Sequence, residues 1–163
     1  MRYTFLVARY KVVRLSILLV FFWGSCFSQI TGRVVSVADG DTFTLLTDQK
    51  TEIRIRLHGI DCPERSQDFG TVAKKFLSAK IYDKRVSVTQ TDIDRYGRTI
   101  AIVTLGSENI NEALLAAGLA WHYKRYDKNP TWAALEEEAR KEKKGLWQNP
   151  NPIEPWEYRR SKS

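Results

Sequence analysis

The feature that most constrains the fold is a series of short segments that alternate apolar and polar residues and end at turns. "ITGRVVSVADGDTFTLLTD" alternates on both sides of Asp39-Gly40, a dipeptide favoured in tight hairpins. "TEIRIRLHGI" alternates as well, which predicts a third strand with one apolar and one basic face. Its apolar face carries Ile53, Ile55 and Leu57, and its basic face carries Arg54, Arg56 and His58.

Helical and strand patterns follow in turn along the rest of the chain. "DFGTVAKKFLSAKI" has helical spacing, and "RVSVTQTDID" and "GRTIAIVTL" have strand spacing. "NINEALLAAGLA" and "NPTWAALEEEARKEKKGLW" predict two more helices, with Asn129 as a cap, Pro130 at the first turn, and Gly118 and Gly145 as ends. The order predicts an α+β fold, a five-stranded Greek-key barrel of the oligonucleotide/oligosaccharide-binding (OB) type with about three helices. A generic α+β sheet is the alternative.

The first 28 residues differ in composition from the rest of the chain. "MRYTFLVARYKVVR" holds four basic residues and no acidic one, "LSILLVFFWG" is uncharged, and "SCFSQ" supplies small residues. This order predicts a secretory signal peptide over 1–28, cleaved after Ser28, and hence a secreted or periplasmic protein. The alternatives are an uncleaved membrane anchor, a buried first strand, or a lipoprotein acylated at Cys26.

The remaining chain is expected to form one domain over 29–148, followed by a proline-rich tail over 149–163. We expect this tail to be an extended strap or a loose end. Without the predicted signal the chain has 22 basic and 19 acidic residues, a net charge of +3. Such a balance suits a protein that binds a polyanion and releases it. Cys62 would then be the one cysteine left, which excludes an internal disulfide.

Acidic residues are concentrated at the predicted turns. "DGDT" contains Asp39 and Asp41, and "RLHGIDCPE" places Arg56, Asp61 and Glu64 within nine residues. Carboxylate and backbone carbonyl oxygens are the ligands of hard cations such as Ca²⁺. The two histidines are isolated in the sequence, which argues against zinc. The simpler interpretation of Asp39 is that it forms the hairpin turn.

Basic residues of the kind that bind phosphate lie near these acids and at one further turn. Arg56 has the planar donor fork that matches phosphate oxygens. "DRYGR" places Arg95, Tyr96 and Arg98 around Gly97, although such a turn alone is typical of a solvated hairpin tip. In this order the motifs resemble the staphylococcal (micrococcal) nuclease family, also called thermonucleases. The resemblance rests on "DGDT", "RLHGIDCPE", "DRYGR", "NEALLAAGLA" and "RKEKKGLW", and covers about residues 32 to 148.

The resemblance implies a calcium site and a catalytic acid. The calcium-binding aspartates of the family match Asp41 and Asp61, and its carbonyl ligand falls on Cys62, where the best-known member has threonine. Because the ligand is a backbone oxygen, the cysteine side chain is compatible with the site. The acid that aligns the attacking water matches Glu64.

The resemblance also implies a set of substrate-binding residues. The two arginines that clasp the phosphate match Arg56 and Arg98. The lysine and tyrosine that hold a terminal phosphate match Arg95 and Tyr96, so that an arginine replaces the lysine. For the tyrosine that stacks on a base, Tyr126 is the nearest match and Tyr123 the next.

Together these matches predict a calcium-dependent endonuclease that cleaves DNA and RNA and leaves 3′-phosphate ends. We expect it to act as a monomer with no stable protein partner. Two alternatives remain at this point: a non-catalytic OB-fold module that binds nucleic acid, and a lipid-anchored protein whose domain is structural.

Overall fold

A computed structural model of the protein describes residues 29–162, and this part of the chain contains eight strands and four α-helices. The strands are β1 (Gln29–Val37), β2 (Thr42–Thr47), β3 (Glu52–Leu57), β4 (Ile60–Asp61), β5 (Arg85–Ile93), β6 (Thr99–Leu105), β7 (Glu108–Asn109) and β8 (Trp121–His122). The helices are α1 (Gly70–Ile81), α2 (Ile110–Ala116), α3 (Pro130–Lys141) and α4 (Pro155–Ser161), and a 3₁₀ helix spans Gly145–Gln148. The predicted signal peptide over 1–28 lies outside the described residues.

Five strands close into a barrel. The strand order is β3-β2-β1-β5-β6, with antiparallel neighbours, and a parallel pairing of β3 with β6 joins the two edges. Strand β7 extends the sheet beside β6, while β4 and β8 form a separate two-stranded pair. The predicted α+β class and five-stranded OB-type barrel are therefore confirmed, and an open sheet is excluded.

The core fills the barrel and the space between the barrel and the helices. Alternation along β3 is as the sequence predicts: Ile55 and Leu57 are buried, and Arg54 is exposed. Helices α1 and α2 pack their apolar faces on the same core. Their buried apolar residues are Ala73, Leu77 and Ile81 in α1, and Ile110, Leu114 and Leu115 in α2.

Local signals place most element ends correctly. The backbone N–H groups of Ala38 and Asp39 donate to the Thr42 carbonyl and close the β1–β2 hairpin at the predicted turn. The Asn129 side chain accepts from the Thr131 N–H, and Pro130 occupies the first turn of α3. Gly118 follows α2 with a φ of +65°.

Two local predictions are wrong. Helix α3 ends at Lys141, and Lys143 adopts the left-handed conformation with a φ of 51°, so the helix stops before Gly145. The tail is not an extended strap or a loose end, because Pro155–Ser161 forms α4. The described chain therefore has four α-helices rather than about three. Within this part of the chain, none of the helices combines the length and the apolar composition needed to cross a membrane.

Candidate active site

The site is built where β2, β3 and β4 meet. Thr42 at the start of β2 pairs with Arg56 near the end of β3, and the Leu57 N–H donates to the Asp41 carbonyl at 2.9 Å. Gly40 has no room for a side chain, since an added Cβ would lie 2.7 Å from the Cβ of Cys62. The hairpin turn that carries Asp41 is thus pressed against the segment that follows Asp61.

Arg56 joins the two predicted calcium-binding aspartates. Its Nη1 donates to Asp41 Oδ1 at 2.7 Å, and its Nη2 donates to Asp61 Oδ1 at 2.6 Å. The Cys62 N–H donates to Asp41 Oδ2 at 3.0 Å, which fixes the Cys62 peptide beside that carboxylate. Asp41 and Asp61 are 3% and 0% exposed, so both carboxylates depend on these partners for compensation.

The electrostatics of this cluster indicate an excess of negative charge. Burial, reinforced by the Asp41 carboxylate, raises the pKa of Asp61 even though Arg159 and Arg56 act in the opposite direction. Burial and Asp41 likewise raise the pKa of Asp39 to about 6. Burial opposes the charge of Arg56, yet the carboxylates of Asp41 and Asp61 raise its pKa above its usual value. The cluster would therefore be stabilised by a further cation.

The donor set fits a hard cation. Two buried carboxylates meet at one guanidinium, which shows that both face a common position suited to positive charge. Residues 29–162 contain no cluster of three or more His, Cys, Asp or Glu side chains arranged as a metal site. The predicted calcium site needs only Asp41, Asp61 and the Cys62 carbonyl, with water completing the coordination. Burial raises the pKa of the Cys62 thiol, which keeps it neutral.

Glu64 lies at the open side of the cluster. Its backbone N–H donates to Gln67 Oε1 at 2.8 Å, which folds the loop between β4 and α1 into a turn. An added Cβ on Gly70 would lie 1.9 Å from the Glu64 carbonyl oxygen, so only glycine allows α1 to begin this close to the loop. The Glu64 side chain is 39% exposed and reaches the solvent-filled cleft.

Arg159 is the site residue that the sequence analysis missed. Its Nη2 donates to Asp61 Oδ2 at 2.7 Å, and its Nη1 donates to Glu64 Oε1 at 2.7 Å. Arg56 and Arg159 thus alternate with three acids in one series, which we call the carboxylate–arginine chain: Asp41, Arg56, Asp61, Arg159 and Glu64. The available signal in the sequence was "PWEYRR", in which a proline suited to a first helical turn precedes two arginines.

The basic turn, defined as Asp94–Arg98, lies between β5 and β6. Asp94 accepts hydrogen bonds from the N–H groups of Tyr96 and Arg98 and from Arg98 Nε at 2.6 Å. Although partial burial opposes it, these hydrogen bonds lower the pKa of Asp94. Arg95 donates to the Tyr96 hydroxyl at 2.7 Å, and its guanidinium lies 4.8 Å from the Tyr96 ring centre.

Aromatic rings form another side of the cleft. Tyr126 is 64% exposed and contacts Tyr123 edge to face, with ring centres 4.8 Å apart. One face of Tyr123 is covered by Trp156 of α4, which stacks on it at 4.6 Å. The exposed ring of Tyr126 is therefore the better placed of the two tyrosines to stack on a base.

The carboxylate–arginine chain, the side chains of the basic turn and these aromatic rings line one cavity of about 910 Å³. It contains every residue that the sequence analysis selected: Asp41, Arg56, Asp61, Cys62, Glu64, Arg95, Tyr96, Arg98 and Tyr126. The cleft has acids at one end, arginines along its length and aromatic rings beside them. This arrangement can hold an anionic polymer against a cation. The individual roles of these residues stay predictions.

Neither of the two histidines lines this cleft. His122 is buried, and its Nε2 lies 2.7 Å from Asp127 Oδ1, while His58 Nε2 lies 3.4 Å from Asp127 Oδ2. Both rings pack edge-on against Trp132. This arrangement ties β8 to the start of α3 and is consistent with a structural role.

Comparison with known proteins identifies relatives over most of the chain. A family model described as "Staphylococcal nuclease homologue" matches residues 54–149. An "Uncharacterized endonuclease" of Haemophilus influenzae is 43% identical over 92% of this chain and 85% of its own length. An "Uncharacterized endonuclease" of Escherichia coli O157:H7 is 38% identical over 90% of this chain and 95% of its own. A "Micrococcal nuclease" of Shigella flexneri is 40% identical over 83% of each chain.

Proposed function

The chain belongs to the staphylococcal nuclease family, and we propose that it is a calcium-dependent endonuclease that hydrolyses phosphodiester bonds of DNA and RNA. The observation that carries this proposal is the convergence of Asp41, Arg56, Asp61 and Glu64 in one cleft. A domain that only bound nucleic acid would have no need of two carboxylates buried beneath an anionic ligand. Such groups repel phosphate unless a cation lies between them and the substrate.

The reaction places its main electrostatic demand on the phosphate oxygens. A phosphodiester is already an anion, and attack by water adds charge to its oxygens. Catalysis must therefore neutralise the charge on these oxygens and orient the water and the substrate. Calcium held by Asp41, Asp61 and the Cys62 carbonyl would supply a Lewis acid and a template for the substrate. Arg56 and Arg98, which line the same cleft, would donate to the oxygens on which charge develops.

Glu64 would orient or deprotonate the attacking water. It lies at the solvent-accessible side of the cluster, two residues beyond Cys62. Pro63 restricts the backbone of Cys62 to extended conformations and so limits the relative orientation of Asp61 and Glu64. Arg95, Tyr96 and Tyr126, which lie away from the acids in sequence and line the same cleft, would hold a neighbouring phosphate and base.

Several finer features belong to the same proposal. We propose cleavage at the 5′-oxygen, which leaves 3′-phosphate ends, and action as a monomer. We also propose export through the predicted signal over 1–28, with anchoring through that segment or through lipidated Cys26 as the alternatives. Mass spectrometry of the mature protein separates these: an N-terminus near Gln29 supports a cleaved signal, a species retaining Met1 contradicts it, and one that starts at lipidated Cys26 supports the lipoprotein.

A cleavage assay tests the proposed activity. The purified protein should degrade DNA and RNA with Ca²⁺, lose activity in excess chelator, and recover it when Ca²⁺ is restored. Products should need dephosphorylation before their 3′ ends can be extended. Full activity in excess chelator would reject the calcium site, and binding without cleavage under all of these conditions would favour the non-catalytic module.

A further inference from the structure

Helix α4 brings a guanidinium to the acids of the active site. Arg159 Nη1 donates to Glu64 Oε1 at 2.7 Å, and Nη2 donates to Asp61 Oδ2 at 2.7 Å. Nη1 also lies 3.4 Å from Asp61 Oδ1. The Arg159 fork therefore bridges the two carboxylates and fixes the direction of the Glu64 side chain relative to Asp61.

The helix that carries Arg159 is itself held in place by side-chain contacts. Trp156 stacks on Tyr123 with an interplanar angle of 3°, and it contacts Trp121 edge to face with ring centres 5.8 Å apart. The Tyr158 hydroxyl donates to Ser66 Oγ at 2.8 Å, which ties α4 to the loop that follows Glu64. Pro155 is buried at the start of the helix. These contacts fix Arg159 relative to the loop that carries Glu64.

Glu64 requires such support for the role proposed above. A glutamate side chain has three rotatable bonds, and holding it in one conformation costs conformational entropy. At 39% exposure, the Glu64 side chain is not confined by packing. A charged, directional hydrogen bond from a fixed donor restricts the carboxylate without removing it from the cleft.

We propose that Arg159 is a positioning residue that holds Glu64 in its productive orientation, and that α4 is therefore part of the active site. This inference rests on the proposed nuclease function and goes beyond it, because it assigns a catalytic purpose to the tail after the barrel domain. The position of the acting carboxylate matters: a displacement of about 1 Å of a catalytic group can cost about 10²-fold in rate.

The test compares Arg159→Ala with Arg160→Ala, a matched control on the same helix whose guanidinium binds Glu157. Steady-state cleavage of DNA at saturating Ca²⁺ should show kcat lower by about 10-fold to 100-fold in Arg159→Ala, with KM changed by less than about threefold. Arg160→Ala should keep kcat within about threefold of the native value, since exposed ion pairs contribute little. Arg159→Lys, which keeps the charge and loses the fork, should lie between the native protein and Arg159→Ala.

A double-mutant cycle with Glu64→Gln separates positioning from a merely structural role. If Arg159 acts through Glu64, adding Arg159→Ala to Glu64→Gln should lower kcat by less than about twofold. Calorimetric Ca²⁺ binding by Arg159→Ala should be no weaker than that of the native protein, because the change removes a cation from Asp61. A full additional loss of kcat in the Glu64→Gln background, or an unchanged kcat in Arg159→Ala, would overturn the positioning role alone. Absence of cleavage by the native protein would reject the proposed function as well.

Discussion

The carboxylate–arginine chain and the basic turn line the same cleft but are built in opposite ways. Arg56 and Asp61 in the carboxylate–arginine chain are five residues apart, but its other partners come from distant parts of the sequence, 15 residues apart for Arg56 and Asp41 and 98 residues apart for Arg159 and Asp61. In the basic turn, the bonds to Asp94 come from residues no more than four positions away. Asp41 and Asp61 of the first region are buried, whereas Tyr96 in the second is 70% exposed.

The difference shows which part of the site exists only after the domain has folded. The carboxylate–arginine chain forms only when β2, β3, β4 and α4 are assembled, so its inner members contribute to stability as well as to activity. The basic turn can form from local interactions alone. We therefore expect changes in the turn to alter cleavage while leaving the free energy of unfolding almost unchanged.

The largest effect on rate is expected at Glu64, the exposed end of the carboxylate–arginine chain. Glu64→Gln removes the carboxylate that we propose orients or deprotonates water, so kcat should fall by about 10²-fold to 10⁴-fold. Since the side chain is 39% exposed, the free energy of unfolding should change by less than about 1 kcal/mol. Kinetics and urea unfolding of the same preparation check both values. A near-native rate would refute the catalytic role of Glu64.

Arg56 tests the buried centre of the carboxylate–arginine chain. Arg56→Ala leaves Asp41 and Asp61 without their shared cation, which should cost about 3 kcal/mol of stability and about 10²-fold or more in kcat. Arg54→Ala is the matched control, because Arg54 is exposed two residues earlier on the same strand. Loss of the Arg54 charge should mainly raise KM and reduce the salt dependence of nucleic-acid binding. The measurement is kcat, KM and unfolding at fixed calcium and salt, and greater damage from Arg54→Ala would invalidate the assignment of Arg56.

Arg98 provides the corresponding test in the basic turn. Arg98→Ala should lower kcat by about 10²-fold, because it removes the proposed donor to the developing phosphate charge. Stability should fall by no more than about 1 kcal/mol, as expected for a local pair four residues apart. Arg95→Ala, which removes the exposed neighbour, should raise KM and leave kcat nearly unchanged. A loss of stability as large as that of Arg56→Ala would contradict the contrast between the two regions.

Replacement of Asp39 is expected to have the smallest effect, which is a change in how the free energy of unfolding depends on pH. Burial and the Asp41 carboxylate raise the pKa of Asp39 from 3.8 to about 6. Because this raised pKa disfavours the charged form in the folded state, the folded protein loses stability as the pH rises from about 4 to about 6. In chelator, Asp39→Asn should be more stable than the native protein by about 1–2 kcal/mol at pH 8 and equal to it at pH 3.

Thermal or denaturant unfolding at the two pH values checks this prediction. An Asp39→Asn variant that is less stable at pH 8 would show that the ionised carboxylate stabilises the hairpin turn rather than adding to the excess of negative charge.

The sequence predicted those parts of the fold and cleft that depend on local patterns. Strand alternation identified the five barrel strands, and the turns "DGDT", "RLHGIDCPE" and "DRYGR" identified eight of the nine selected residues that line one cavity. Each of these segments ends a strand or joins two strands, so that closing the barrel brings the three together. Resemblance to a known family supplied the proposed role of each residue, which composition and spacing alone did not provide.

Helix α4 could not be predicted in the same way. A seven-residue helix has little intrinsic stability, and a proline-rich tail favours an extended conformation. The helix forms because Trp156 packs on Tyr123 and Trp121, which lie more than 30 residues earlier in the sequence. The contact of Arg159 with Asp61 follows from that docking and leaves no periodic signal in the sequence.

Calorimetric titration with Ca²⁺ tests most directly whether the buried acids form the metal site. The native protein should bind one Ca²⁺, and Asp61→Asn, with native circular dichroism, should bind it at least about tenfold more weakly because a charged ligand is lost. Asp94→Asn removes an acid from the basic turn in the same cleft and should bind Ca²⁺ within about twofold of the native affinity. Native affinity in Asp61→Asn, or loss of binding in Asp94→Asn, would contradict the assignment of the metal site to the carboxylate–arginine chain.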